Sequence, residues 1–149
     1  MYADYEYYVQ SYRGDILTAD NADKWLDRAS DYLDGRTLGR LQTAFPVDDY
    51  SIGRVKKAVC AVAEEMYQQD LLMQASSAVA KTDGSVSPPV RSISSGKESV
   101  SYGTDGYAQA ASGAMNRIND SIIGAYLAGA IDGNGISLAY MGREGRYVR

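Results

Sequence analysis

The sequence predicts a mainly α fold: a small bundle of three to four helices, with a long loop carrying a β-hairpin and an extended C-terminal arm. Three observations carry this expectation. Apolar residues recur at steps of three and four from Ser51 to Gln74, at Ile52, Val55, Val59, Val62, Met66 and Met73. Shorter stripes of the same period stand before and after. Between residues 76 and 106 the period gives way to Ser, Gly and Thr around Pro88-Pro89. One domain over 1–149 is expected, with a helical core at about 3–75 and 110–130, a loop or hairpin at about 76–106, and an arm at about 133–149.

In chain order, Tyr5, Tyr8, Val9 and Tyr12 are spaced i, i+3, i+4, i+7, which predicts a short amphipathic helix stopped by Gly14. Tyr2 and Tyr7 lie off that stripe, so their rings are candidates to face a neighbour. Thr18 or Asp20 can cap a second helix, with Ala22, Trp25, Leu26, Ala29, Tyr32 and Leu33 inward and Asp20, Asp23, Asp27, Asp31 and Asp34 as an acidic stripe outside. Continuing past Asp34 would turn Arg36 into the apolar face, so Gly35 is the expected stop, followed by a looser turn through Leu38 and Leu41 to Phe45-Pro46.

The long helix starts near Ser51, with Asp48, Asp49 and Ser51 offering cap oxygens. Arg54, Lys57, Glu64 and Glu65 are expected outside, the two glutamates as a solvated pair. Within the Ser-rich stretch, Val90 and Ile93 form one extended piece. Glu98 to Tyr102 alternates as a second, and Ser95-Gly96 turns between them. A loop of that length is either functional or disordered. A last helix follows from about Ala110 to Ala130, with Ala111, Met115, Ile118, Ile122, Ala125, Tyr126 and Gly129 on one face and Asn116, Arg117 and Asp120 outside. Asp132 to Gly135 then breaks the chain, and Ile136, Leu138 and Tyr140 alternate as a short strand. Residues 142–149 carry three arginines against one glutamate. That basic end is either a frayed terminus or an arm for a partner.

A net charge of −4 and a pI near 4.8 argue against holding nucleic acid through phosphate contacts. No apolar run reaches the ~18–20 residues needed to cross a bilayer, and the N-terminus does not read as a signal peptide. A single cysteine, Cys60, excludes an internal disulfide and suits a reducing cytoplasm; on the long helix it is expected to be a buried filler. Thirteen tyrosines against one Trp and one Phe suit surfaces buried on assembly, because each ring brings a hydroxyl that needs a partner. The chain has no His, which removes the commonest general base and metal ligand. Asp132-Gly133-Asn134-Gly135 matches only the start of a calcium loop and is expected to be a turn. Gly103 to Gly106 has a GxxG spacing without a basic surround. An enzyme, a cofactor and a metal site are therefore not expected.

The order of these pieces resembles the head–tail connector (adaptor, or head-completion) proteins of long-tailed bacteriophages. The matching stretches are the Tyr-rich start with its Gly turn, Trp25 to Asp34, Val55 to Ala63, the Ser-rich loop ending Glu98 to Tyr102, Tyr126 to Gly129, and Gly135 to Gly142. The resemblance implies a non-catalytic virion protein at the head–tail interface, present in the host cytoplasm during assembly. Many copies would form a ring, a dodecamer in the virion and monomers in isolation. That ring would sit on the portal protein, extend the DNA channel without binding DNA specifically, and receive the stopper or tail-completion protein. On this reading Tyr140, Arg143, Arg146, Tyr147 and Arg149 form a portal-docking arm. Asp20, Asp23, Asp27, Asp31 and Asp34, with Tyr2 and Tyr7, face neighbouring subunits or the channel. Lys97, Glu98 and Tyr102 reach toward the channel or the next ring. The alternatives are another connector-region protein, or a helical interaction module outside the virion.

Overall fold

Asp48 sets the start of the longest element. Its Oδ2 accepts the Ser51 N–H at 2.7 Å, which caps helix α4 (Asp49–Val79) and holds the Asp48 carboxyl below its ordinary range. The computed structural model describes residues 1–79 and 104–139, with side chains for 1–75 and 113–139. The helices preceding α4 are α1 (Tyr5–Tyr7), α2 (Ala22–Arg36) and α3 (Arg40–Thr43); α5 (Thr104–Leu127) follows it. The described residues are mainly helical, as the sequence predicts. The 31 residues of α4 extend roughly 46 Å at 1.5 Å per residue. Val55, Ala58, Val59, Cys60, Val62 and Ala63 are all fully buried, with α2, α5 and the N-terminal turn packed around them. Ser51 is not a cap: its buried hydroxyl accepts the Ile131 N–H at 3.0 Å and ties the chain after α5 to the base of α4.

The N-terminal stripe is wound differently from the expected helix. After the single α-turn of α1, capped by Asp4, Tyr8–Tyr12 form a π-helical turn. Its wider winding leaves Val9 exposed and puts Tyr8 fully inside, stacked between Tyr5 and Tyr12 at 6.2 and 5.8 Å. Arg13, in the left-handed region at φ 62°, ends the turn rather than Gly14. Gly14 is needed for closeness, since a Cβ there would lie 2.1 Å from the Tyr8 ring.

Helix α2 buries Ala22, Trp25, Leu26, Ala29 and Leu33 as expected, and adds Ser30. It does not stop at Gly35. Arg36 avoids the apolar face by reaching sideways to Asp120 on α5, so the helix continues one residue further. Leu38 (φ 56°) and Gly39 (φ 73°) then make the left-handed stop, and the Gly39 N–H returns to the Asp34 carbonyl at 2.8 Å. The expected loose turn contains the one-turn helix α3, with Leu41 buried and Leu38 exposed.

Helix α5 begins before Ala110 and ends before Ala130, and its inward face is rotated from the expected one. Asn119, Ile123 and Leu127 are buried, whereas Ile118, Ala125 and Gly129 face outward. Asp120, expected outside, is drawn inward by Tyr32 and Arg36. With α4 running to Val79 and α5 starting at Thr104, helix occupies both margins of the expected 76–106 loop. The hairpin at Val90, Ile93 and Glu98 to Tyr102 lies outside the described residues.

Past α5, Asp132 organises a tight turn by accepting the N–H groups of Asn134 and Ile136, both at 2.9 Å. The expected strand reduces to one antiparallel bridge between Ile131 and Ser137. The Leu138 N–H returns to the Ala130 carbonyl at 2.8 Å, and its side chain is fully buried. Residues 133–138 therefore belong to the body, not to the expected arm.

Replacing Gly14 with Ala forces the Tyr8 ring to move. The expected cost is about 1–3 kcal/mol, the range for overpacking. A thermal or urea melt checks it; an unchanged midpoint would mean that the ring has room to shift.

Candidate functional site

Polar side chains converge where the N-terminal turn meets α4. Tyr8 and Tyr12 donate their hydroxyls to the two carboxylate oxygens of Glu64, at 2.6 and 3.2 Å. The Tyr8 oxygen also accepts the N–H groups of Ile16 (2.9 Å) and Leu17 (3.0 Å), so one hydroxyl satisfies two donors that the irregular link before α2 would otherwise leave unpaired. Burial, then the hydrogen bond to Glu64, pushes Tyr8 up to about 12, against a smaller lowering by the Leu17 and Ile16 N–H groups. Tyr12 is raised further by burial, the Glu64 charge and Tyr126. Glu64 is thus half-buried and bonded twice, not one of a solvated pair. Cys60 is the buried filler the sequence predicts, and burial lifts its thiol to about 12, well away from reactivity.

Two further tyrosine–carboxylate pairs knit α2 to its surroundings. Tyr2 stacks on Phe45 at 5.4 Å and donates to Asp34 at 2.5 Å, while Gln42 donates to the other Asp34 oxygen at 2.7 Å. Tyr32 donates to Asp120 at 2.9 Å, and burial with that bond raises it to about 12. Tyr7 lies half-buried under the Lys56 ammonium at 5.0 Å. The rings expected to face a neighbour, Tyr2 and Tyr7, are engaged within the chain. The acidic stripe is shorter than expected for the same reason: Asp20, Asp23, Asp27 and Asp31 are exposed, but Asp34 is half-buried under Tyr2. The N-terminal ammonium stands 3.6 Å from Asp27. Tyr140, Arg143, Arg146, Tyr147 and Arg149, and Lys97, Glu98 and Tyr102, lie outside the described residues.

Sequence reasoning missed exposed apolar side chains at the junction between the start of α4 and the turn after α5. Val47 (82 % exposed), Tyr50 (59 %), Ile131 (40 %) and Ile136 (51 %) come from two segments joined by the Ile131–Ser51 bond and by the Gly133 N–H donated to the Ala44 carbonyl at 2.9 Å. Buried Asp132 meets Arg40 at 3.4 Å, and Arg40 also donates to the Ser137 carbonyl at 3.0 Å. Arg54 lies between the Tyr50 and Tyr126 rings, at 5.8 and 5.7 Å, and donates to the Ala125 carbonyl at 3.0 Å. No periodicity marks these positions, because they sit at the ends of helices and in a turn. Further along α4, Leu71 is exposed, and an open groove of about 420 Å³ is lined by residues that include Trp25, Met66 and Met115.

Among the described residues no group of three or more His, Cys, Asp or Glu could hold a metal ion. No described helix is long and apolar enough to cross a membrane. Comparison with family models, with curated proteins and with solved structures gives no match.

Tyr8→Phe is expected to cost about 1–3 kcal/mol, because it leaves the Ile16 and Leu17 donors unpaired in the interior. Tyr12→Phe should cost less, and a double-mutant cycle with Glu64→Gln apportions the network. The tyrosines also set an alkaline limit. Unfolding frees the Tyr8 proton to leave near its ordinary 10.0, while the folded chain holds it to about 12. Stability from this group is complete below pH 10 and is lost as pH rises toward 12. Urea melts across that window should show falling midpoints, and Tyr8→Phe should flatten the fall.

Proposed function

We propose that the chain is a structural subunit of a phage head–tail connector: an adaptor that assembles as a ring on the portal at the capsid vertex, extends the DNA channel and presents a surface for the stopper or tail. One observation carries the reading beyond the resemblance. Large apolar side chains are exposed at both ends of α4, Val47 and Tyr50 by its start and Leu71 near its other end. From Tyr50 to Leu71 the helix rises roughly 32 Å. An adaptor held between two partner rings needs two such separated docking surfaces, joined by a stiff strut. The buried stretch Val55 to Ala63 supplies the stiffness.

The outward carboxylates Asp23, Asp27 and Asp31 suit either a neighbouring subunit's basic groups or a channel in which DNA slides without sticking. The tyrosine–carboxylate bonds serve the subunit's own fold, so contacts between copies fall to other surfaces. The basic residues of 142–149 suit an arm that reaches a separate ring.

Mixing the purified chain with the portal ring of its parent phage and imaging by electron microscopy tests the reading. An added ring of density beneath the portal is the expected outcome. No binding by a folded chain points to a later ring of the connector or to a partner outside the virion. Deleting Gly142 to Arg149 should leave the far-ultraviolet circular dichroism unchanged while abolishing attachment; retained binding refutes the arm.

A further inference from the structure

We infer that Leu38 of one copy of this chain docks into the groove lined by Trp25, Met66 and Met115 of a second copy, head to tail. The inference rests on the adaptor reading, under which this is the contact between neighbouring subunits of the ring. The Leu38 N–H returns to the Gly35 carbonyl at 3.4 Å and the Gly39 N–H to the Asp34 carbonyl at 2.8 Å, the paired bonds of a Schellman stop. Leu38 therefore holds, at φ 56°, the position that glycine most often fills. A left-handed leucine is strained by its own Cβ. Its side chain is 71 % exposed, so packing within the chain offsets little of that strain. Glycine or asparagine would close α2 with less strain. What leucine adds is an apolar knob, presented to solvent from a fixed corner of the fold.

The groove is the matching hollow. Three methionines, Met66, Met73 and Met115, line it together with the Trp25 ring. Thioether side chains are unbranched and polarisable, so they close readily around an inserted apolar group. Leu38 cannot fill the groove of its own copy, because α2 alone rises roughly 17 Å from Trp25 to Arg36. Knob and hollow are separate surfaces, so their contact is heterologous, and heterologous contacts build rings where the rotation closes.

Charge fits the same pairing. Lys24 and Arg28 stand over the Trp25 ring at 4.6 and 5.0 Å, and Arg28 lines the groove, with Asp70 as its acidic member. Asp23 and Asp27, two residues to either side of Trp25, point away from that ring at about 100° per residue. The other end of α2 carries exposed Asp31 and half-buried Asp34 in the turns before Leu38. The nearby arginines, Arg36 and Arg40, are taken up by Asp120 and Asp132. A head-to-tail contact sets the acidic end of one α2 against the basic pair of the next.

The test uses the full chain carrying Leu38→Cys together with Gln69→Cys, a residue of the groove wall, and diamide as the oxidant. The one native cysteine, Cys60, is buried with its thiol raised to about 12, so it stays out of the reaction. A ladder of covalent dimers, trimers and longer chains is the expected result on a non-reducing gel. The parent chain, Leu38→Cys alone, and Val9→Cys with Gln69→Cys should all stay monomeric; Val9 is an exposed apolar site elsewhere. Leu38→Asn keeps a residue that tolerates the left-handed turn, so it should melt no lower than the parent. It should also need about tenfold or more concentration to self-associate in sedimentation. No ladder from the paired variant would overturn the inference, as would a dimer from Leu38→Cys alone or a ladder from the Val9 control. A lower melt for Leu38→Asn would sink it too, by showing that the leucine serves the fold. A change in Trp25 emission on adding the portal ring, without a ladder, would give the groove to the portal instead. Portal binding by the parent chain is read separately: its absence beside a ladder removes the adaptor reading and leaves the contact standing.

Discussion

Everything else in the structure depends on covering α4 between Val55 and Ala63. Val55, Val59 and Val62 alone contribute roughly 4–9 kcal/mol by removal from water, and six of those nine residues are buried completely. No single neighbour can cover so much of a helix's circumference. Helix α2 takes one side, α5 another, and the tyrosine-rich N-terminal turn a third. Each partner must therefore present one apolar face and turn the rest of its surface outward. This requirement fixes the face of α2 that carries Trp25, Leu26, Ala29 and Leu33, and leaves Asp23, Asp27 and Asp31 in solvent.

A domain this small has little depth, so its large side chains sit where core meets surface. Tyrosine suits that boundary, because the ring packs inward while the hydroxyl finds a carboxylate nearer the solvent. Tyr8 with Glu64, Tyr2 with Asp34 and Tyr32 with Asp120 repeat the same solution at three seams of the bundle. The abundance of tyrosine is thereby explained in part by the chain's own fold.

The helices were legible because burial imposes a period on the sequence. The inward set of α2 and the burial of Cys60 follow directly from steps of three and four. What the period could not convey was any place where a polar group overrides it. Arg36 reads as a helix breaker only if its side chain must point along the apolar stripe; pairing with Asp120, eighty-four residues away, frees the helix to pass Gly35. The same pair draws Asp120 inward and rotates the face of α5. Glu64 next to Glu65 looks solvated until Tyr8 and Tyr12 arrive from the start of the chain. The π-turn at Tyr8 is a further case, since its extra residue shifts Val9 outward against the stripe. Long-range polar partners leave no local trace, and neither do the apolar side chains left exposed at helix ends and turns.

The start of α4 and the turn after α5 are joined by hydrogen bonds as well as by the burial of Leu138, and this bears on how Ile131 and Ile136 stay exposed. Loose apolar side chains on a free turn would fold onto the nearest helix to escape water. Here the Ile131 N–H is held by Ser51 and the Gly133 N–H by Ala44, while Asp132 takes the Asn134 and Ile136 N–H groups into the turn. Those bonds fix the backbone, so Ile131 and Ile136 cannot swing inward without leaving donors unpaired at about 1–3 kcal/mol each. The burial of Leu138 pins the far side of the same turn. Exposure of the apolar side chains is thus enforced by the polar groups beneath them.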